Sequence, residues 1–234
     1  MAEAIGAHGG LRRWFANGPL QFRFRYVPRQ DRAAIDTIQL IDTFSARAAH
    51  RLTETPGVQF GWTGSTAWVS DPDADLSTNP RFWSLTPYYF VGVPFVLADP
   101  GVTLALDGEE EFEERAYDRV RATFGEGVGD APDDYYVVLV DQETDRIGGV
   151  RYVVSYQGFF PDGGTTPEKL MMYDGAQQVD GITFPQTFRT FALEPNGTPT
   201  DVVTDSEMSA VSFAPETLDT AFAMPTGAFA VTGF

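Results

Sequence analysis

The chain has no cysteine, which excludes disulfides, thiolate nucleophiles and cysteine-type zinc sites. Histidine occurs twice, at His8 and His50, too thinly for a transition-metal site. Lysine occurs once, at Lys169; every other basic residue is arginine, and none is clustered. Phosphate backbones call for clustered Lys and Arg, so nucleic acid and anionic membrane surfaces are poor partners. No uninterrupted apolar run reaches the ~20 residues of a spanning helix, so no transmembrane segment is expected. There is no G-x-S-x-G nucleophile elbow. The start, MAEAIGAHGG, lacks a basic n-region and an apolar h-region. Taken literally it reads as cytoplasmic; it equally suits a chain whose leader, with any lipid-bearing cysteine, has been removed.

Acid is abundant. Asp and Glu total 33 against 16 Lys and Arg, a net charge of −17. Such a charge repels itself, and salt screens it. Adaptation to high salt and mere acidity in a GC-rich genome both fit this composition. At 234 residues the chain suits one large β domain or two small ones. Without a repeat, a low-complexity linker or a composition break, one domain over 1–234 is the expectation.

The most informative stretch is Phe82 to Ala98, FWSLTPYYFVGVPFVLA, without a charge. In so acidic a chain it must be buried, inserted somewhere or bound to something. Pro87 and Pro94 would each remove a helical hydrogen bond, so a broken helix and loop, closing one face of a sheet, is predicted. Before it, residues 3–17 have helical spacing, with Gly9-Gly10 inviting close packing and Asn17-Gly18-Pro19 as a stop. The period then changes to two. In LQFRFRY, Leu20, Phe22, Phe24 and Tyr26 share one face.

Further strands are predicted at 34–44 and 47–53, with a hairpin over 58–69. After a polar loop and the aromatic segment come strands at 102–107, 115–124, 134–141, 147–157, 168–174, 182–193 and 201–213. Their connectors carry turn chemistry such as Asp107-Gly108, Asp180-Gly181 and Asn196-Gly197. The fold class is therefore mainly β, with about ten or eleven antiparallel strands in a barrel or sandwich.

An N-terminal helix, a few strands, an apolar lid and a long meander of strands together resemble the LolA/LolB-like periplasmic lipoprotein-carrier superfamily. More locally, AHGGLRRWF (7–15), AWV (67–69), NPRFW (79–83), GVPFVLADPGV (92–102), FGEGVGDAPDDYYVVLVD (124–141) and VDGITFPQTFRTF (179–191) resemble an uncharacterised bacterial family within it. The resemblance implies a single curved antiparallel sheet, a half-barrel, around an apolar cavity that holds acyl chains. It implies that Phe22, Phe24, Tyr26, Trp62 and Trp68 line the cavity, with Phe82, Trp83, Tyr88, Tyr89, Phe90 and Phe95 from the lid. It also implies a periplasmic or outer-membrane-anchored protein.

Other motifs carry less chemistry. His8 lies beside Leu11 on the apolar helix face and reads as a hydrogen-bonded core histidine rather than a base. His50 has no visible partner. Asp71, Asp73 and Asp75 have calcium-loop spacing, but Leu76 stands where the loop needs glycine and Phe82 where it needs glutamate. Glu109–Glu114 reads as a solvated charge run. Gly125–Gly129 lacks the strand–helix surroundings of a phosphate loop. With 33 acids, a facing carboxylate pair as in glycosidases stays open, though nothing singles one out.

No catalytic residue, metal or cofactor is assigned. The leading expectation is a non-enzymatic envelope protein that binds an acyl chain, lipid or lipidated protein. The alternatives are an interaction module with a self-filled core, and third a carboxylate-dependent hydrolase.

Overall fold

A computed structural model describes the chain except residues 30–31, 126–127, 129–130, 132 and 232–234. Most of the Gly125–Gly129 segment thus lies outside the described residues. The helix expected over 3–17 is two helices, α1 (Ala2–Ala7) and α2 (Leu11–Ala16). The break falls at Gly9 and Gly10, with φ of 117° and 87°. A β-carbon at Gly9 would stand 2.3 Å from the Gly181 carbonyl oxygen. Only glycine permits both this backbone and this approach, so the pair ends one helix and starts the next.

The strands follow as β1 (Leu20–Pro28), β2 (Ile35–Ile41), β3 (Ala48–Leu52), β4 (Gln59–Trp62) and β5 (Ala67–Val69). Helix α3 (Pro80–Val91) and a 3-10 turn (Phe95–Ala98) come next. Then come β6 (Val102–Phe112), β7 (Arg115–Phe124), β8 (Tyr135–Asp141), β9 (Ile147–Tyr152) and β10 (Lys169–Asp174). The chain continues with β11 (Gln177–Val179), β12 (Ile182–Phe184), β13 (Thr187–Leu193), β14 (Pro199–Phe213) and β15 (Phe229–Ala230).

Thirteen strands form one antiparallel sheet in the order β15-β5-β4-β3-β2-β1-β14-β13-β10-β9-β8-β7-β6, and β11 pairs with β12 apart from it. This is the mainly β half-barrel expected from the sequence, with more strands than the ten or eleven counted. Strand 182–193 divides at Pro185, whose missing N–H interrupts a ladder. The short β11 and β15 carry too few residues for a periodic signal.

Burial in β1 and β2 alternates strictly at first, placing Leu20, Phe22, Phe24, Ile35, Thr37, Gln39 and Ile41 inside. Strand β8 is buried on both faces. On the outer face Leu139 packs with Tyr117 of β7 and Leu170 of β10, and Phe112 of β6, Met172 of β10 and Phe191 of β13 pack against this second cluster. Arg151 of β9 holds the β6–β7 hairpin. Its Nη2 and Nε donate to the Glu110 carboxylate at 2.5 and 2.9 Å, and Nη1 reaches Glu168 at 3.3 Å. Part of the acidic run 109–114 is therefore ion-paired strand rather than solvated charge. Removing one member of such a buried pair typically costs about 3–5 kcal/mol.

Helix α3 runs unbroken through Pro87, contrary to the broken helix expected, and ends before Pro94. Asn79 caps its first turn, accepting the Arg81 and Phe82 N–H groups at 2.9 and 3.1 Å, and Pro80 occupies the favoured first position. Proline inside a helix costs about 3 kcal/mol. Burial of Trp83, Leu85, Tyr88, Phe90 and Val91 outweighs that, since each large apolar side chain contributes roughly 1.5–3 kcal/mol.

Candidate functional site between the lid helix and the sheet

Helix α3 is apolar on more than one face, as a fully enclosed helix must be. One face packs on β3, β4 and β5. There Arg81 lies over the Trp62 ring at 3.6 Å, a cation–π contact. His50 Nε2 donates to the Ser84 carbonyl at 2.9 Å, and the ring stacks on Phe60 at 4.6 Å. Burial pulls the His50 pKa down to about 4, against that hydrogen bond. The ring is neutral near pH 7 and ties β3 to the lid.

His8 does the same for α1. Its Nδ1 donates to the Thr183 carbonyl at 2.9 Å while Nε2 accepts the Ile147 N–H at 3.1 Å. Burial lowers its pKa as well. Each histidine is thus a hydrogen-bonded tether between helix and sheet. In the Asp71 loop, Asp71 and Asp75 accept the backbone N–H groups of Asp73 and Ser77, capping their own turns.

The other face of α3 presents Phe82, Leu85, Thr86, Tyr89 and Phe90, at i, i+3, i+4, i+7 and i+8. This stripe and the strands opposite border a half-open cavity of about 90 Å³. Phe124 of β7, Tyr136 of β8 and Tyr152 of β9 form the facing wall, with Val153, Val154 and Tyr156 beyond β9. Phe90 packs edge-on against Tyr152 at 4.9 Å and stacks with Tyr136 at 6.2 Å. Phe82 meets Tyr156 at 5.2 Å and the exposed Phe159 at 4.9 Å. The Tyr173 hydroxyl donates to the Phe90 carbonyl at 2.8 Å and pins the end of the lid. Burial pushes the Tyr136, Tyr152 and Tyr173 hydroxyls well above their usual range. Among the described residues lining this cavity only Asp134 is charged.

The eleven residues expected to line a cavity separate into two groups. Phe82, Tyr89 and Phe90 line it. Phe22, Phe24, Trp68, Tyr88 and Phe95 are buried in the core. Phe24 packs on Phe188 at 5.5 Å, while Phe95 stacks on Trp14 at 4.5 Å. Trp83 is buried against Tyr26 at 5.2 Å, and Trp62 lies under Arg81. The aromatics of the first half-sheet thus fill the space beneath the lid. The cavity remains on the second half-sheet, whose Tyr136, Tyr152 and Asp134 sequence reasoning missed. Alternation in β8 carried a signal: Tyr136 shares a face with Val138 and Val140 and sits opposite Tyr152.

A larger recess, about 440 Å³, lies on the outer face under the β6–β7 hairpin. Its walls include Arg25, Arg115 and Arg189 with Asp174, Asp205 and Glu207. Arg25 stands opposite Glu207 in the strand register, and Arg189 opposite Asp205, with which it pairs at 4.0 Å. This is a charged sheet face. For an apolar ligand the lid cavity is the better candidate despite its size.

No family model matches the sequence, and no curated protein does. The architecture is that of the LolA-like half-barrels. A LolA superfamily protein from Nitrosomonas europaea matches over 94% of this chain and 97% of its own, with a TM-score of 0.59 and 14% identity. A DUF1329 family protein from Desulfovibrio piger matches over 95% and 98%, with a TM-score of 0.56 and 12% identity. A domain from Vibrio parahaemolyticus, provisionally described as an outer membrane lipoprotein-sorting protein, matches over 92% and 97%, with a TM-score of 0.53 and 10% identity. At these identities the likeness is one of fold. Among the described residues, no helix is long and apolar enough to cross a membrane.

Proposed function

We propose that this is a non-enzymatic protein of the bacterial cell envelope that binds an apolar ligand, an acyl chain or lipidated partner, beneath α3. The observation that carries the reading is the helical stripe Phe82, Leu85, Thr86, Tyr89, Phe90, facing a wall of aromatic and aliphatic side chains across open space. The shared fold with a domain described as lipoprotein-sorting supports it. Burial at roughly 25 cal/mol per Å² of apolar surface would drive binding. Ligand pockets usually enclose ~300–1,000 Å³, so about 90 Å³ admits an acyl chain only if the α3 edge at Phe82 and Tyr89 swings outward.

A second reading, a self-filled interaction module, is favoured by the packed interior of Phe22, Phe24, Trp68 and Phe95. Titration separates the two. A monoacylglycerol should bind the protein saturably in calorimetric titration, and Tyr89→Ala should weaken that binding about tenfold or more. Absence of saturable binding to any acyl probe would leave the self-filled module.

A further inference from the structure

We propose that Asp134 sets the headgroup class of the ligand: the cavity takes acyl groups whose head is uncharged and carries a hydrogen-bond donor, and it rejects free carboxylates. This inference rests on the apolar-ligand reading above.

Among the described residues the lining of the cavity is otherwise uncharged, with no arginine or lysine to receive an anion. Asp134 stands just before β8 and lines the cavity together with Val128, Ala131, Val153, Val154 and Tyr156. Its Oδ1 accepts the Ser155 N–H at 2.5 Å. That bond uses one of about four lone-pair sites on a carboxylate. The carboxylate can therefore hold its loop and still accept from a ligand.

The groups sharing the cavity with it are Tyr136 of β8, Tyr152 of β9, Tyr156 and Tyr89 of α3. Burial pushes the Tyr136 and Tyr152 hydroxyls above their usual range, so both are neutral near pH 7. Asp133 adds a further negative charge beside it. Burial raises the Asp134 pKa, the Ser155 hydrogen bonds oppose this, and Asp133 adds to it.

A fatty-acid carboxylate entering this cavity meets a like charge in a poorly solvated site, without a compensating cation. A hydroxyl or amide N–H instead completes a charge-assisted hydrogen bond, stronger than a neutral one. The same acyl chain is thus admitted or refused by its head.

The test compares decanoate with monodecanoylglycerol at pH 8, by calorimetric titration of the whole chain and of Asp134→Asn. Asparagine keeps an oxygen acceptor for the Ser155 N–H and removes the charge. In the native protein the glyceride should bind about tenfold more tightly or better. Asp134→Asn should raise decanoate affinity about tenfold and weaken glyceride binding, so that the preference for the glyceride is lost.

Should the variant fail to fold, decanesulfonate on the native protein replaces it, because its charge does not titrate in this range. Its affinity should rise as pH falls and Asp134 takes up a proton. Equal affinities for decanoate and glyceride in the native protein, or an unchanged ratio in Asp134→Asn, would overturn the role of Asp134 and leave the acyl-binding reading standing. Failure of both probes to bind would instead remove that reading, and this inference with it.

Discussion

Trp83→Ala discriminates a docked lid from a loose one. The indole is buried, packs edge-on against Tyr26 at 5.2 Å, and is not among the residues that line the cavity. Truncating a buried tryptophan costs about 3–5 kcal/mol, transfer and cavity terms together. The aromatic pair accounts for roughly 0.5–1.5 kcal/mol of that. A domain typically holds only 5–15 kcal/mol of stability, so the loss would be a large fraction of the whole.

In a domain of about 150–250 residues, each kcal/mol shifts Tm by roughly 2–4 °C. The expected fall is therefore about 6–20 °C. Guanidinium unfolding followed by circular dichroism should show a lower midpoint with an unchanged m-value. Because Trp83 does not line the cavity, acyl affinity should change less than about threefold. A stability loss under about 1 kcal/mol would refute the reasoning, since it would mean that Trp83 is not packed into a closed core. A collapse of acyl affinity with little loss of stability would relocate the ligand to the Tyr26 side of the lid.

Two further outcomes are expected. Because the folded His50 pKa, about 4, lies below the unfolded 6.5, its contribution is complete above pH 6.5 and lost as pH falls toward 4. That loss is about 3 kcal/mol, with His8 adding in the same direction; His50→Gln should flatten the pH dependence of the unfolding midpoint over that window, and an unaltered slope would exclude the buried imidazole as its cause. With a net charge of −17, thermal stability should rise with sodium chloride and level off near 1 M, where the Debye length is ~3 Å; a flat response would dismiss self-repulsion as a significant term.

What the sequence determined by itself follows from local periodicity. Alternation over Leu20–Tyr26 decided which face of β1 is buried, because successive side chains in a strand point to opposite sides. A charge-free aromatic stretch in so acidic a chain forced the 82–98 segment inside. Gly9-Gly10 marked a close approach, since only glycine lets backbones meet there.

Only the tertiary structure decided the rest. Pro87 reads locally as a helix breaker, yet burial of α3 on both sides outweighs its cost. Glu110 reads as solvated until the hairpin folds over Arg151. His8 and His50 acquire partners in Thr183, Ile147 and Ser84, which lie far off in sequence. The site changed sides for the same reason: aromatic density shows what must be buried, whereas the space left over depends on how the two halves of a curved sheet pack against one helix. Phe22, Phe24 and Trp68 fill one half, and the gap falls beside Tyr136, Tyr152 and Asp134, which come together only once β8 and β9 pair beneath the lid.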